Sequence, residues 1–187
     1  MKRSQAQKQP VVVYEGTFLR CLIKDRWEYV ERTNCTGVVI IVALTEEGKL
    51  VLTEQYRIPV GTPVIEFPAG LVGDTTQGAE DPATAARREL LEETGYKAQR
   101  ILPLVSGPTS AGLTTELVTL VQAVGLQKQS QGGGDAAEAI TVHEVPLAEV
   151  DAWLKKAEAQ GTLVDPKVYA GLYLLNRQRA GISATKP

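Results

Sequence analysis

The stretch Gly37 to Leu44, reading Gly-Val-Val-Ile-Ile-Val-Ala-Leu, constrains this chain more than any other. Its β-branched residues favour extended backbone, and a strand with no polar position to offer water needs cover on both faces. It is the longest apolar run and falls well short of the ~20 residues that cross a bilayer. Glu46-Glu47-Gly48-Lys49 then forms a tight turn into Leu50 to Tyr56, which predicts a hairpin. Ahead of it, Val11–Val13, Phe18–Ile23 and Trp27–Arg32 read as a thin antiparallel meander broken at Glu15-Gly16 and Lys24-Asp25-Arg26. Further strands are expected at Val64–Phe67, Leu102–Ser106, Leu117–Val124 and Ile140–Pro146, and helices at about Pro82–Thr94, Leu147–Ala159 and Pro166–Gln178. Strands dominate and helices interrupt them. The fold class is therefore α/β of the α+β type, with a mixed or antiparallel sheet rather than a doubly wound parallel one.

At 187 residues the chain fits one domain with at most a small appendage. Its 20 Lys and Arg against 22 Asp and Glu leave no overall positive field to attract a nucleic-acid backbone. The opening Met1 to Pro10 is polar, with no apolar export segment behind it, so the expectation is a cytoplasmic protein with no membrane and no nucleic-acid partner. Cys21 and Cys35 make no disulfide framework, and a single histidine, His143, excludes a His-rich metal site or a serine–histidine triad. The chemistry has to come from carboxylates, Arg, Lys or backbone.

One helix carries that chemistry. Asp81 suits an N-cap, Pro82 the first helical position and Gly95 the left-handed residue past the end. Between them Glu89, Glu92 and Glu93 stand at i, i+3 and i+4, sharing an arc roughly 100° wide, while Ala83, Ala86, Leu90 and Leu91 fill a neighbouring arc suited to packing. Carboxylates at this spacing repel by a few tenths of a kcal/mol per pair, and only Arg88 adjoins to offset them. Such a cluster suits a hard divalent cation, magnesium or manganese, that completes its shell with substrate phosphate oxygens.

The flanks extend the pattern. Glu80, seven residues, Arg88-Glu89-Leu90, one residue, Glu92-Glu93, one residue, Gly95-Tyr96 resembles the Nudix box, GX5EX7REUXEEXGU with U a bulky apolar residue. One departure stands out: Gly70 lies ten residues before Glu80 where the pattern has six, and the four extra residues fall in the polar segment Gly73 to Gly78. They can loop outward without moving the helix. The resemblance implies a Nudix fold, a mixed sheet sandwiched by helices. It also implies metal bound by Glu89, Glu93 and the Ala69 carbonyl, Glu92 as a further ligand or neighbour, and Arg88 orienting a glutamate. The reaction implied is attack of water on one phosphorus of an X-linked nucleoside diphosphate, with Mg2+ (or Mn2+) as cofactor.

Outside the box, Glu54-Gln55-Tyr56-Arg57 and Glu66-Phe67-Pro68-Ala69-Gly70 are similar to the branch that splits ADP-ribose and other nucleoside diphosphate sugars. Arg57 then reads as a phosphate clamp, because its guanidinium fork matches phosphate oxygens, and Glu66 as a substrate contact or as the partner of Arg57. Ser110-Ala111-Gly112-Leu113-Thr114-Thr115-Glu116 resembles the downstream motif of that branch, with Ala111 where proline is usual, and implies Glu116 near the metals. The activating base of the branch comes from a loop before the last strand. Within Gln129 to Ala139 that points to Glu138, with Asp135 the other carboxylate.

Resemblance also implies a homodimer formed through the N-terminal sheet. Trp27, set among four charged residues, is a candidate to stack on the nucleobase, whereas Trp153, at helical spacing with Val150 and Leu154, reads as core. The expected organisation is a flexible start at 1–10, a dimerising antiparallel sheet at 11–36, the Nudix hydrolase domain at 37–178 and a tail at 179–187. Two alternatives stand beside nucleotide-sugar hydrolysis: a Nudix hydrolase of another nucleotide, such as a dinucleoside polyphosphate or a triphosphate, and a non-catalytic ADP-ribose-binding regulatory domain.

Overall fold

The computed structural model describes residues 9–74, 80–134 and 139–181. The N-terminal meander is present as β1 (Val11–Glu15), β2 (Leu19–Lys24) and β3 (Trp27–Arg32), an antiparallel sheet in that order. Every residue of β1 is exposed, and the sheet meets the rest of the chain mainly through β3, where Val30 exchanges backbone hydrogen bonds with Leu113 and Thr115.

The second sheet is built on β4 (Gly37–Leu44). With it go β5 (Lys49–Arg57), β6 (Thr62–Glu66), β7 (Ala69–Val72), β8 (Tyr96–Pro108), β9 (Leu117–Lys128), β10 (Thr141–Pro146) and β11 (Leu163–Val164). Its order is β11-β6-β5-β4-β9-β8, with β10 on β5 and β7 on β4; β4 runs parallel to β9 and antiparallel to β5 and β7. The helices are α1 (Pro82–Thr94), α2 (Val150–Ala159) and α3 (Pro166–Arg179). Because successive side chains of a strand point to opposite faces, β4 feeds two cores. Ile40 and Val42 pack with Leu154, Val168, Leu172 and Leu175 from α2 and α3, while Val39, Ile41 and Ala43 pack with Ala85, Ala86 and Leu90 from α1. The both-faces-covered reading of Gly37–Leu44 is met by helices on each side, and Trp153 packs against the first core.

The sheet forks along β4. Toward its end β4 pairs with β5 only at Ala43↔Val51 and Leu44↔Leu50, whereas from Gly37 to Ile40 it pairs with β7 instead. Beyond the fork β5 continues against β6, from Thr53↔Glu66 to Arg57↔Thr62. A cleft opens where the two branches part.

Several boundaries differ from the sequence reading. Ala69–Val72 is a strand that the sequence reading did not expect, because Leu71 and Val72 extend along β4, opposite Val38 and Gly37. β8 starts at Tyr96 rather than Leu102, its first half alternating buried Tyr96 and Ala98 with exposed Lys97 and Gln99. β8 pairs only with β9, and as an edge strand it accommodates Pro103 beside a register shift. α2 begins at Val150, the residues after Pro146 forming a turn first. On α1, Leu91 is exposed and the packing face is Ala85, Ala86, Leu90 and Thr94.

Candidate active site

A cavity of about 620 Å³ occupies the fork. Val38, Ile40 and Val118 supply apolar lining, Ala69 to Leu71 the β7 side, Glu89 and Glu93 the α1 side, and Arg32, Arg57, Glu66, Glu116, Asp165 and Lys167 further charges.

α1 is held where its sequence predicts. The Asp81 carboxylate accepts from the Ala83 and Thr84 amides, Pro82 starts the helix, and Gly95 ends it at φ 71° with its N–H donating to Leu91. That left-handed residue is also pressed against Ser130, so a side chain there would overlap the Ser130 carbonyl. The Gly133 and Gly134 amides donate to the Glu93 and Glu92 carbonyls, docking the following loop on the helix end.

Of the three glutamates, the structure brings two into the cavity. Glu93 is buried and its carboxylate accepts from the Ala69 amide at 3.1 Å. Glu89 lies directly on Gly70, where even a methyl group would overlap its carboxylate. Burial pushes the Glu89 carboxyl up to about 7, against the opposing pull of Arg88. Glu92 departs from the converging arc of the sequence reading: its side chain is 54% exposed, reaches toward Arg88 at 3.4 Å and does not line the cavity. At ~100° per residue it falls on the opposite side of Glu89 from Glu93, and the cavity takes only the Glu93 side. Among the described residues no three acidic, His or Cys side chains converge as a ready-made cage. The buried Glu93 carboxylate and the partly buried Glu89 carboxylate beside the Ala69–Gly70 backbone form an oxygen-rich wall, which fits a hard divalent cation that takes its remaining ligands from substrate and water.

Arg88 is the hub behind that wall. Its guanidinium donates to both Glu80 oxygens at 3.2 Å, to Glu89 at 2.7 Å, to the Leu71 carbonyl at 3.2 Å and to Asp74 at 3.3 Å. This holds the Glu80 carboxyl below the usual carboxylate range and ties α1 to β7. Gly73, inside the inserted segment, donates its amide to Glu80 at 3.2 Å, while residues 75–79 lie outside the described residues.

With this geometry in view, the comparisons with known proteins decide the family: the model of the NUDIX domain matches residues 34–165. The chain belongs to the Nudix family. It is 35% identical to a methanol dehydrogenase activator of Bacillus methanolicus over 145 residues, 77% of this chain and 74% of that protein. Its identity to the ADP-ribose pyrophosphatase of Bacillus subtilis (strain 168) is 33%, covering 74% of this chain and 71% of the other. A GDP-mannose pyrophosphatase of Cronobacter sakazakii is 31% identical, with 86% and 82% covered. The crystal structure of an ADP compounds hydrolase superposes with a TM-score of 0.68 at 20% identity, over 96% of this chain and all of that one, a likeness of fold.

The remaining expected residues of this Nudix chain are placed as follows. Arg57 and Glu66 line the cavity together, paired Nε to Oε2 at 2.6 Å. Glu116 lines it too, bound to Arg32 Nε at 2.6 Å. Trp27 is 62% exposed and lines a separate recess of about 400 Å³ with Lys24, Asp25, Tyr29, Ala111, Gly112, Thr114 and Thr115. Glu138, expected as the base, lies outside the described residues, as does Asp135. Sequence reasoning missed Arg32, Asp165 and Lys167, which reach the Nudix cavity from β3 and the start of α3. The only signal for them was charge at the ends of apolar elements, which any surface supplies.

Proposed function

We propose that this Nudix chain hydrolyses the pyrophosphate bond of ADP-ribose or related nucleoside diphosphate sugars, releasing a nucleoside monophosphate and a sugar phosphate. The observation that carries this reading is one cavity holding the buried Glu93 carboxylate and the partly buried Glu89 carboxylate together with Arg57, a guanidinium suited to phosphate. Relatives named as ADP-ribose and GDP-mannose pyrophosphatases support it.

Glu89 and Glu93 would hold magnesium, or manganese, beside the Ala69 backbone. The bound ion supplies Lewis-acid polarisation of phosphoryl oxygens and lowers the pKa of an attacking water. Arg57, kept in place by Glu66, orients the diphosphate. Arg88 fixes Glu89 from behind and takes no part in proton transfer. Glu138 is the candidate base, with Glu116 as the alternative inside the cavity, and Glu92 is at most a neighbour of the metal ligands. Trp27 offers an aromatic face to the nucleobase. The exposed apolar residues of β1, Val11 to Tyr14, suit pairing between two copies, so the working form is a homodimer. The setting proposed is the cytoplasm; no helix among the described residues is long and apolar enough to cross a membrane. Retention of the box carboxylates favours catalysis over a purely regulatory ligand-binding role.

The experiment is a panel of nucleotide sugars with magnesium in 18O-labelled water. Cleavage to a monophosphate and a sugar phosphate, with label in one of them, is expected. Turnover confined to triphosphates or dinucleoside polyphosphates would overturn the substrate assignment.

A further inference from the structure

The last turn of α1, which carries Glu93, is closed by a stretch of chain held there by polar contacts rather than by packing. The final carbonyls of a helix have no partner within it and ordinarily turn to water or to one or two amides just past the end. The Gly95 amide takes the Leu91 carbonyl in that way. The carbonyls after it are all taken from Lys128 to Gly134. The Gly134 amide donates to Glu92 at 3.1 Å, the Gly133 amide to Glu93 at 2.7 Å, the Lys128 ammonium to Thr94 at 3.1 Å and the Gln129 amide to Gly95 at 2.7 Å. Gln129 to Gly132 are exposed, so apolar burial does not keep them in place. Gly132, Gly133 and Gly134 have φ of 71°, 115° and 73°, a succession of positive values that side chains resist. Gly132 also approaches the helix end so closely that a Cβ would lie 2.4 Å from the Thr94 carbonyl carbon and 2.5 Å from the Glu93 carbonyl oxygen.

Ordering so glycine-rich a stretch costs conformational entropy that a plain helix cap would not. What it achieves is visible at the helix end. α1 has no basic residue in its last turn, and the negative end of a helix favours a cation. Lys128 supplies one from β9, its ammonium also holding Glu144 at 3.1 Å and lying 4.2 Å over the Tyr96 ring. Arg88 fixes Glu89 from one side. From the other, the amides on the Glu92 and Glu93 carbonyls fix the backbone from which the buried Glu93 carboxylate reaches the Ala69 amide. We propose that Lys128–Gly134 is a backbone clasp that sets Glu93 for metal binding, with Gly132 and Lys128 as positioning residues. Neither of the two lines the cavity, so each acts through the end of α1. The inference rests on the reading of Glu93 as a metal ligand.

The test is manganese binding to the full chain, followed by electron paramagnetic resonance without nucleotide, in Gly132→Ala beside Gly161→Ala. Gly161 has φ 91° and open space where a Cβ would go, so its alanine variant carries the same kind of backbone penalty without meeting α1. Gly132→Ala should weaken manganese binding roughly tenfold or more with native circular dichroism, while Gly161→Ala stays within about twofold of the wild type. Lys128→Met should weaken it about threefold or more and Lys128→Arg should recover most of that loss, a second arm should Gly132→Ala not fold. In ADP-ribose turnover the manganese concentration for half-maximal rate should rise in both weakened variants, with KM for ADP-ribose little changed. Wild-type manganese affinity in a folded Gly132→Ala or in Lys128→Met, or an equal loss in Gly161→Ala, would overturn the clasp. A wild type that binds no manganese would instead defeat the metal-ligand reading of Glu93, and this inference with it.

Discussion

Arg88 grips Glu80 with two nitrogens at once, Nε on Oε1 and Nη2 on Oε2, each at 3.2 Å. The Glu80 side chain is only 7% exposed, so its charge depends on that fork. Arg88→Ala would leave Glu80 and Glu89 buried without their cation. It should cost about 2–4 kcal/mol of stability, read by urea unfolding, and most of the activity. Arg88→Lys keeps the charge and loses the bidentate geometry, so it should fall between the wild type and Arg88→Ala. Wild-type stability in Arg88→Ala would show that the hub holds nothing together.

Gly70 needs its missing side chain for a different reason from Gly95. Its backbone is not left-handed; the space of a Cβ is taken by the Glu89 carboxylate. Gly70→Ala should therefore displace Glu89, cutting metal-dependent turnover at least tenfold while circular dichroism stays native. Activity equal to the wild type would mean Glu89 has no fixed working position.

The candidate bases separate by mutation. Glu138→Gln should lower kcat on the order of 10²–10⁴-fold if Glu138 takes the proton from water. Glu116→Gln should do less, since Glu116 is already engaged with Arg32. A loss under tenfold in Glu138→Gln together with a larger one in Glu116→Gln would move the base to Glu116.

Acid stability should report on Glu144. The Tyr96 hydroxyl, donating at 2.8 Å, and Lys128 hold its carboxyl below the ordinary 4.5. A carboxyl lowered in the folded state stabilises the fold above its unfolded pKa, and that contribution disappears as pH falls through the folded value. Glu144→Gln should therefore be less stable than the wild type near pH 7, with the gap closing below about pH 4. A gap independent of pH would remove Glu144 from the acid limb, leaving it to Glu47, Glu80 and Asp81, whose carboxyls are also lowered.

Local chemistry explains what the chain disclosed in advance. Asp81, Pro82 and Gly95 bounded α1 to the residue because caps are read from side chains close in sequence, and Gly37–Leu44 declared a doubly covered strand through its own composition. β7 stayed hidden because Ala69–Val72 is extended only by the free edge of β4, a long-range partner. Glu89 and Glu93 were legible from helical period, but that period gave Glu92 an equal place, and only the fork in the sheet shows which side of the arc is the cavity. Lys167 and Arg32 reach the site through topology, which spacing does not record.

Glu93 is buried, at 6% exposure. Glutamine keeps its shape and can still accept from the Ala69 amide, so Glu93→Gln should fold normally while losing the ionised oxygen a metal needs. The decisive measurement is manganese binding by electron paramagnetic resonance in the presence of a non-hydrolysable ADP-ribose analogue, wild type beside Glu93→Gln, with magnesium-dependent turnover followed on the same preparations. Tight manganese binding in the wild type, lost together with turnover in a folded Glu93→Gln, is the expected result; equal binding and normal turnover in the variant would contradict a metal-dependent hydrolase built on this helix.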